Sequence, residues 1–283
     1  ISELNEVLEK GLSESFLVQP ENPIAFRYYA NANQVPQYGI SGVNFIFNLS
    51  KESPVRIEIR SEKDDLVNVF ESNQISGNGE TTISMATGFS FRNMGPSPQG
   101  KKGVNSFTWT MEHYGAWNAN SSRNGLGGPN VAPGKYKVRI IAGEFNQDAE
   151  FEVLADPRVL EAGTTLKDLK EQEEFNLKIR QLLSEVQFMS YTIEQNLENK
   201  KLNKKKRGRL ELLQQQLVTA EGTYMTPMLI AQVRYLNSML NRADQKPGKD
   251  AYDRFDELRK KADDIRLLLN KEINLNLNEI EQY

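Results

Sequence analysis

Short runs of alternating apolar and polar residues dominate the first 155 residues of the chain. In the segment 55–60, Val55, Ile57 and Ile59 alternate with charged residues, as expected for a strand with one buried face. After the turn signal Pro133-Gly134 the same alternation recurs. Related runs occupy residues 22–29, 43–49, 66–70, 105–111, 135–141 and 149–154. Several short strands separated by turn signals predict a β-sandwich over residues 23–155.

The second half of the chain has helical periodicity instead. Apolar residues recur at spacings of four and three along one stretch, namely Phe175, Ile179, Leu182, Val186, Met189 and Ile193. Three further stretches repeat this spacing, at 210–220, 229–240 and 255–269. Four amphipathic helices need one another to bury their apolar stripes, so we predict an antiparallel four-helix bundle over residues 156–283.

The boundary between the two parts is predicted near Asp156. Fifteen of the 19 glycines precede it, which is typical of a β domain followed by a helical domain. Before the first strand, Leu4, Val7, Leu8 and Leu12 recur at helical spacing, and residues 1–22 are predicted to be an N-terminal helix and linker. The expected fold class is therefore α+β in two domains.

Composition narrows the chemistry that the chain can perform. It has no cysteine and one histidine, which removes thiol chemistry and makes histidine-rich metal sites improbable. The net charge is −3, which argues against nucleic-acid binding, and no apolar run approaches membrane-spanning length. We predict no catalytic residue, no metal and no cofactor.

The candidate ligand contacts are His113, Tyr114 and Trp117, which follow a predicted strand. Glu112 beside the histidine is a candidate acid or base, and the two aromatic rings are suited to stacking on a sugar. One histidine without a placed partner is weak support for catalysis. Two glycine- and proline-rich loops, 86–104 and 115–130, are predicted to carry recognition. Contact with a carbohydrate or peptide is the alternative left open for these aromatic residues.

Two charged motifs receive structural interpretations. The run Lys200-Lys-Leu-Asn-Lys-Lys-Lys-Arg-Gly-Arg invites a nucleic-acid or lipid hypothesis, but the helical half carries 22 basic and 21 acidic residues. We therefore predict a solvated helix–helix connection whose charge is compensated nearby. Asp64-Asp65 lies between two strand patterns and is predicted to form a hairpin turn, not a hydrolytic carboxylate pair.

Several motifs carry a family resemblance. Pro54-Val-Arg-Ile-Glu-Ile, Phe107-Thr-Trp and Val131-Ala-Pro-Gly-Lys-Tyr-Lys-Val-Arg-Ile resemble the immunoglobulin-like module of flagellar hook-capping type, which ends many secreted bacterial proteins. The continuation Phe151-Glu-Val-Leu-Ala-Asp-Pro-Arg, followed by helices, resembles the C-terminal region of bacterial sortilin-type proteins with BNR-repeat β-propellers. The resemblance implies an immunoglobulin-like sandwich and a helical tail. The Ser-x-Asp-x-Gly-x-x-Trp box of the propeller repeat is absent from the sequence, so the resemblance assigns no propeller activity to any residue of this chain.

These observations predict a non-catalytic accessory or interaction region of a larger exported bacterial protein. The first residue is Ile1, not Met, and we expect a fragment or processed chain in an extracytoplasmic location. The expected partner is a preceding β-propeller of the same chain or another protein. A carbohydrate-binding module is the alternative function, and an independent enzyme is a third that the single histidine disfavours.

Overall fold

The computed structural model describes residues 11–26, 42–72, 97–119 and 127–281. It is an α+β protein with two β-sheets followed by helices. The strands are β1 (Phe16–Leu17), β2 (Ile24–Ala25), β3 (Val43–Leu49), β4 (Arg56–Ser61), β5 (Leu66–Glu71), β6 (Gly103–Trp109), β7 (Gly134–Ala142) and β8 (Phe145–Ala155). One sheet has the order β1-β3-β6 and the other β2-β8-β7-β4-β5. Every pairing is antiparallel except that of β2 with β8.

The two sheets share one hydrophobic core, and the strands from 16 to 155 are called the β domain below. Phe45 and Trp109 enter this core from the smaller sheet, and Ile57, Val138 and Phe151 enter it from the larger one. Trp109 is fully buried, and its ring packs edge-on against Phe151. The alternation predicted for β4 and β7 is confirmed, because their apolar residues face the core and their charged residues face outwards.

The hairpin predicted at Asp64-Asp65 joins β4 to β5. The amide of Asp64 donates to the carbonyl of Ser61, and Asp64 adopts a left-handed φ of 68°. Asp is one of the few non-glycine residues that tolerate this conformation. The side chain of Asp64 faces Lys137, 3.5 Å away.

The N-terminal region differs from its prediction. Residues 1–10, which contain most of the predicted helix, lie outside the described part of the chain. Residues 16–17, predicted as linker, form β1, and the buried side chain of Asn48 donates to the carbonyls of Leu12 and Glu14. Of the strand predicted over 22–29, the described residues contain β2 at 24–25.

The helices are α1 (Pro157–Glu161), α2 (Leu166–Leu197), α3 (Lys204–Leu217), α4 (Leu229–Leu240) and α5 (Lys249–Glu272), followed by a 3-10 helix at Leu277–Glu281. Thr165 caps α2 in a capping box with Asp168. The apolar stripes of α2 to α5 meet in one core, which contains Ile179, Val186, Leu213, Val233 and Leu258.

The four predicted bundle helices are present, but they form three columns, because two of them lie end to end. Gln214 of α3 contacts Ser190 in the second half of α2, whereas Gln172 in the first half of α2 contacts the last carbonyl of α4. Arg207 near the start of α3 contacts Leu197, and Arg234 in the first half of α4 contacts Gln187. Helices α3 and α4 therefore lie one after the other along α2, both antiparallel to it. Helix α5 runs parallel to α2, since Tyr252 contacts Glu171 and Arg259 contacts Glu185. The antiparallel four-helix arrangement predicted from the stripes is replaced by this one, because α3 and α4 together span the length of α2.

The break between α3 and α4 explains the shared column. Residues 218–228 include Gly222 at a φ of 146° and Tyr224 at a φ of 60°, neither of which continues a helix. Helix α4 begins at Leu229, two residues after Pro227, and the hydroxyl of Thr219 accepts from the amide of Met228.

Candidate functional site

The three candidate ligand contacts lie in one extended segment, residues 111–119, which we name the strap. Buried and half-buried residues alternate along residues 111–117, with His113 and Trp117 on the buried side. The β domain holds the strap through its backbone: the amide of His113 donates to Pro129, and the amide of Tyr114 donates to Val67. A Cβ on Gly128 would lie 2.0 Å from the His113 carbonyl oxygen, so glycine is required there. The strap is thus a fixed part of the β domain.

The first contact between the strap and helix α2 is polar. Nε2 of His113 lies 2.7 Å from Oε1 of Glu173, and both side chains are largely buried. Burial raises the pKa of the nearby Tyr136 hydroxyl well above its ordinary value, and the negative charge of Glu173 adds to the shift. Glu173 therefore lies near the start of β7 as well as against the strap.

The second contact is a cation on an aromatic ring. The guanidinium of Arg180 lies 4.1 Å from the centroid of the Tyr114 ring and donates to the Tyr114 carbonyl at 3.2 Å. Burial lowers the pKa of Arg180, and the interaction with Tyr114 partly opposes this shift. A desolvated cation over an aromatic face contributes about 2 kcal/mol in favourable cases.

The third contact anchors Trp117. Its amide donates to Oγ of Ser184 at 2.9 Å, and its carbonyl accepts from Gln187 at 2.7 Å. The indole packs edge-on against Phe188, with Ile280 of the C-terminal 3-10 helix in the same cluster. Trp117 is only 7% exposed. Its ring is covered by the helical domain instead of being presented to solvent.

Helix α2 consequently has two contact faces. One carries the predicted apolar stripe into the helical core. The other binds the strap through residues at spacings of seven, four and three, namely Glu173, Arg180, Ser184 and Gln187. The apolar periodicity does not reveal this second face, because its residues are polar and resemble a solvent face. The available signals are Phe188 and Tyr191, two aromatic residues outside the stripe that both pack on Trp117.

Two cavities lie beside the strap. A cleft of about 70 Å³ between the β domain and α2 is lined by residues that include Met111, Asp156 and Glu173. It is far smaller than the 300–1,000 Å³ typical of ligand sites. A more open groove of about 480 Å³ runs along α2 and α4 and is lined by Trp117, Tyr191, Ile230 and Arg234, among others.

Within the described ranges, no three histidine, aspartate or glutamate side chains converge as a metal site would require. The helices described here are all too short or too polar to cross a bilayer. The searches of protein-family models and of curated protein sequences found no match to the chain.

Proposed function

We propose that this chain is a non-catalytic interaction region of a larger exported bacterial protein, in which an immunoglobulin-like sandwich is fixed to a helical bundle. The expected neighbour is a β-propeller that precedes the sandwich. The observation that carries the proposal is the strap, because the residues best suited to ligand contact are engaged in joining the two domains.

The strand order supports an immunoglobulin-like assignment of the β domain. The smaller sheet has the first, third and sixth strands side by side, and the larger one places β8, β7, β4 and β5 in sequence. This order corresponds to the A-B-E part of the A-B-E-D sheet and to the G-F-C-C′ sheet of such sandwiches. The hydroxyl of Tyr136 donates to the carbonyl of Ala132 at 2.7 Å, four residues upstream. Such a tyrosine corner at the start of the F strand is characteristic of these sandwiches.

The resemblance to sortilin-type tails rests on the Asp-Pro-Arg motif at the junction between the domains. Asp156 of the Asp-Pro-Arg motif caps α1, with Pro157 at the first helical position. Its carboxylate accepts hydrogen bonds from Nε and Nη2 of Arg158, which hold the pKa of Asp156 below its usual range. The motif therefore ends β8 and starts the helical domain without a flexible linker.

The intact mass and cell fraction of the native protein test this proposal. A mass far above 32.2 kDa in an extracytoplasmic fraction is the expected result. A mass near 32.2 kDa in the cytosol would contradict both the larger chain and the exported location.

Glycan binding remains the second candidate, on one observation: Tyr191, 36% exposed, and Trp117 line the groove along α2. Its test is a glycan panel with the purified chain. Binding that Tyr191→Ala abolishes and Tyr235→Ala retains would favour this function, because Tyr235 is 68% exposed on α4 and is not among the residues that line the groove.

A further inference from the structure

The connection between α2 and α3 concentrates positive charge at one end of the helical domain. Residues 200–209, named the basic turn, contain seven lysines and arginines and no acidic residue. The two arginines are engaged: Arg207 donates to the carbonyls of Leu197 and Asn199, and Arg209 pairs with Glu272 at 2.9 Å. Lys200, Lys201, Lys204 and Lys205 are exposed and form no ion pair with any described residue. Of the compensation by nearby acidic residues that the sequence predicted, the structure therefore shows an ion pair for Arg209 and none for these four lysines.

The backbone of the basic turn is firmly held. The amide of Lys201 donates to the side chain of Asn199, and the side chain of Asn203 caps α3 by accepting from Lys205. Leu202 packs against the helical core between the two pairs of lysines. The four lysine side chains therefore extend from a backbone that is held in place by hydrogen bonds and by the packing of Leu202.

The position of this turn separates it from most of the acidic residues of the chain. Helix α2 has 32 residues and so rises about 48 Å, and the turn lies at its C-terminal end. Electrostatic interactions are screened over about 8 Å at physiological ionic strength. Acidic residues in the β domain and in the first half of α2 therefore do not neutralise the field at this end. Exposed Glu194, Glu198 and Glu211 flank the turn in sequence, and with Glu272 they are four acidic residues against its seven basic ones.

We propose that the basic turn docks the protein on an anionic lipid surface. Lysine clusters of this size adjoin anionic bilayers in peripheral proteins. The arginines, which make bidentate phosphate contacts, are already engaged, and residues 199–209 contain no aromatic side chain on which a base would stack. These features favour a flat lipid surface over a nucleic acid. This docking does not depend on whether a β-propeller precedes the β domain.

Vesicle co-sedimentation of the whole chain tests the proposal. The probes are neutral phosphatidylcholine vesicles and vesicles with about 30% phosphatidylglycerol. We expect binding to the anionic vesicles only, weakened by added salt. Each lysine near such a surface contributes about 1 kcal/mol, which is about fivefold in partitioning. Substituting Lys200, Lys201, Lys204 and Lys205 by Gln should lower the partition coefficient about 25-fold if two lysines reach the surface and about 600-fold if all four do.

The matched control removes the same charge elsewhere. Lys51, Lys63, Lys167 and Lys170 are exposed, and their joint replacement by Gln should leave binding close to that of the parent. Far-ultraviolet circular dichroism confirms that both variants are folded. Equal binding by the two variants, binding to neutral vesicles, absence of binding to anionic vesicles, or tighter binding to a 20-base-pair DNA duplex would overturn the proposal.

Discussion

Nε2 of His113 lies 2.7 Å from Oε1 of Glu173, and this contact joins the only histidine of the chain to the first half of helix α2. The sequence places the two residues 60 positions apart and in different domains. Tyr114 and Trp117 continue the same contact along α2, so the strap follows the helix over about four turns. The histidine that suggested acid–base chemistry is held by a carboxylate inside a domain interface.

A double-mutant cycle measures this contact. His113→Ala and Glu173→Gln should each destabilise the protein, and the double variant should be more stable than the sum of the two effects predicts. Residues in direct contact give interaction energies of about 0.5–3 kcal/mol. Urea unfolding of the four proteins at pH 7 provides the values. Additivity within about 0.3 kcal/mol would mean that the pair contributes nothing to stability.

Trp117→Ala should loosen the coupling between the domains. Removing a buried tryptophan costs about 3–5 kcal/mol, and here the loss falls on the interface. The parent should unfold in one transition. In the variant, Trp109 is the sole tryptophan and reports the β domain, while circular dichroism at 222 nm reports the helices. We expect the two probes to give separate transitions in the variant. Coincident transitions would show that other contacts couple the domains.

Local periodicity predicted most of the elements and little of their assembly. The alternation in 55–60 and 135–141 identifies β4 and β7, because one face of each strand packs in the core and the other faces solvent. The stripe from Phe175 to Ile193 likewise identifies α2. By contrast, the two-residue strand β1 is too short to show a pattern, and its pairing with β3 depends on residues about 30 positions away. The apolar stripes fit a bundle of three columns as well as one of four. The end-to-end placement of α3 and α4 along α2 is what makes the bundle three columns wide.

The sequence likewise identifies the residues of the candidate site but not the contacts that they make. His113, Tyr114 and Trp117 are visible in the sequence as chemically versatile residues, but their surroundings are supplied by α2. The residues that cover them, such as Ser184 and Gln187, are polar and look like solvent-facing positions of an amphipathic helix. Burial of a polar face by a distant strap leaves no periodic signal.

Tyr136→Phe tests the tyrosine corner. The substitution removes one buried hydroxyl and leaves the carbonyl of Ala132 without that donor, which should lower the free energy of unfolding by about 1–2 kcal/mol. Urea unfolding followed by tryptophan fluorescence measures the change. Tyr235→Phe makes the same chemical change at an exposed site and should shift stability by less than about 0.5 kcal/mol. Equal effects of the two substitutions would argue against the corner.

Glu58→Gln tests the charged outer face of the larger sheet. Burial raises the pKa of Glu58, but hydrogen bonds from Arg56 and Arg60 outweigh this and hold the pKa below its usual value. A carboxyl with a lowered folded-state pKa stabilises the protein above its unfolded-state pKa, and this contribution is lost as the pH falls through the folded-state pKa. The variant should therefore be less stable by about 2 kcal/mol at pH 7, and the difference should shrink in acid. A difference that stays constant from pH 7 to pH 3 would contradict this origin.

The distance between one spin label on each domain tests most directly whether the β domain and the helices form one rigid unit. The chain has no cysteine, so Lys135→Cys on β7 and Lys260→Cys on α5 provide the only two thiols, both at exposed positions. Double electron–electron resonance should give a single narrow distance distribution for this labelled protein, and a broadened one when Trp117→Ala is added. A broad or multiple distribution with the strap intact would contradict the rigid coupling on which the account depends.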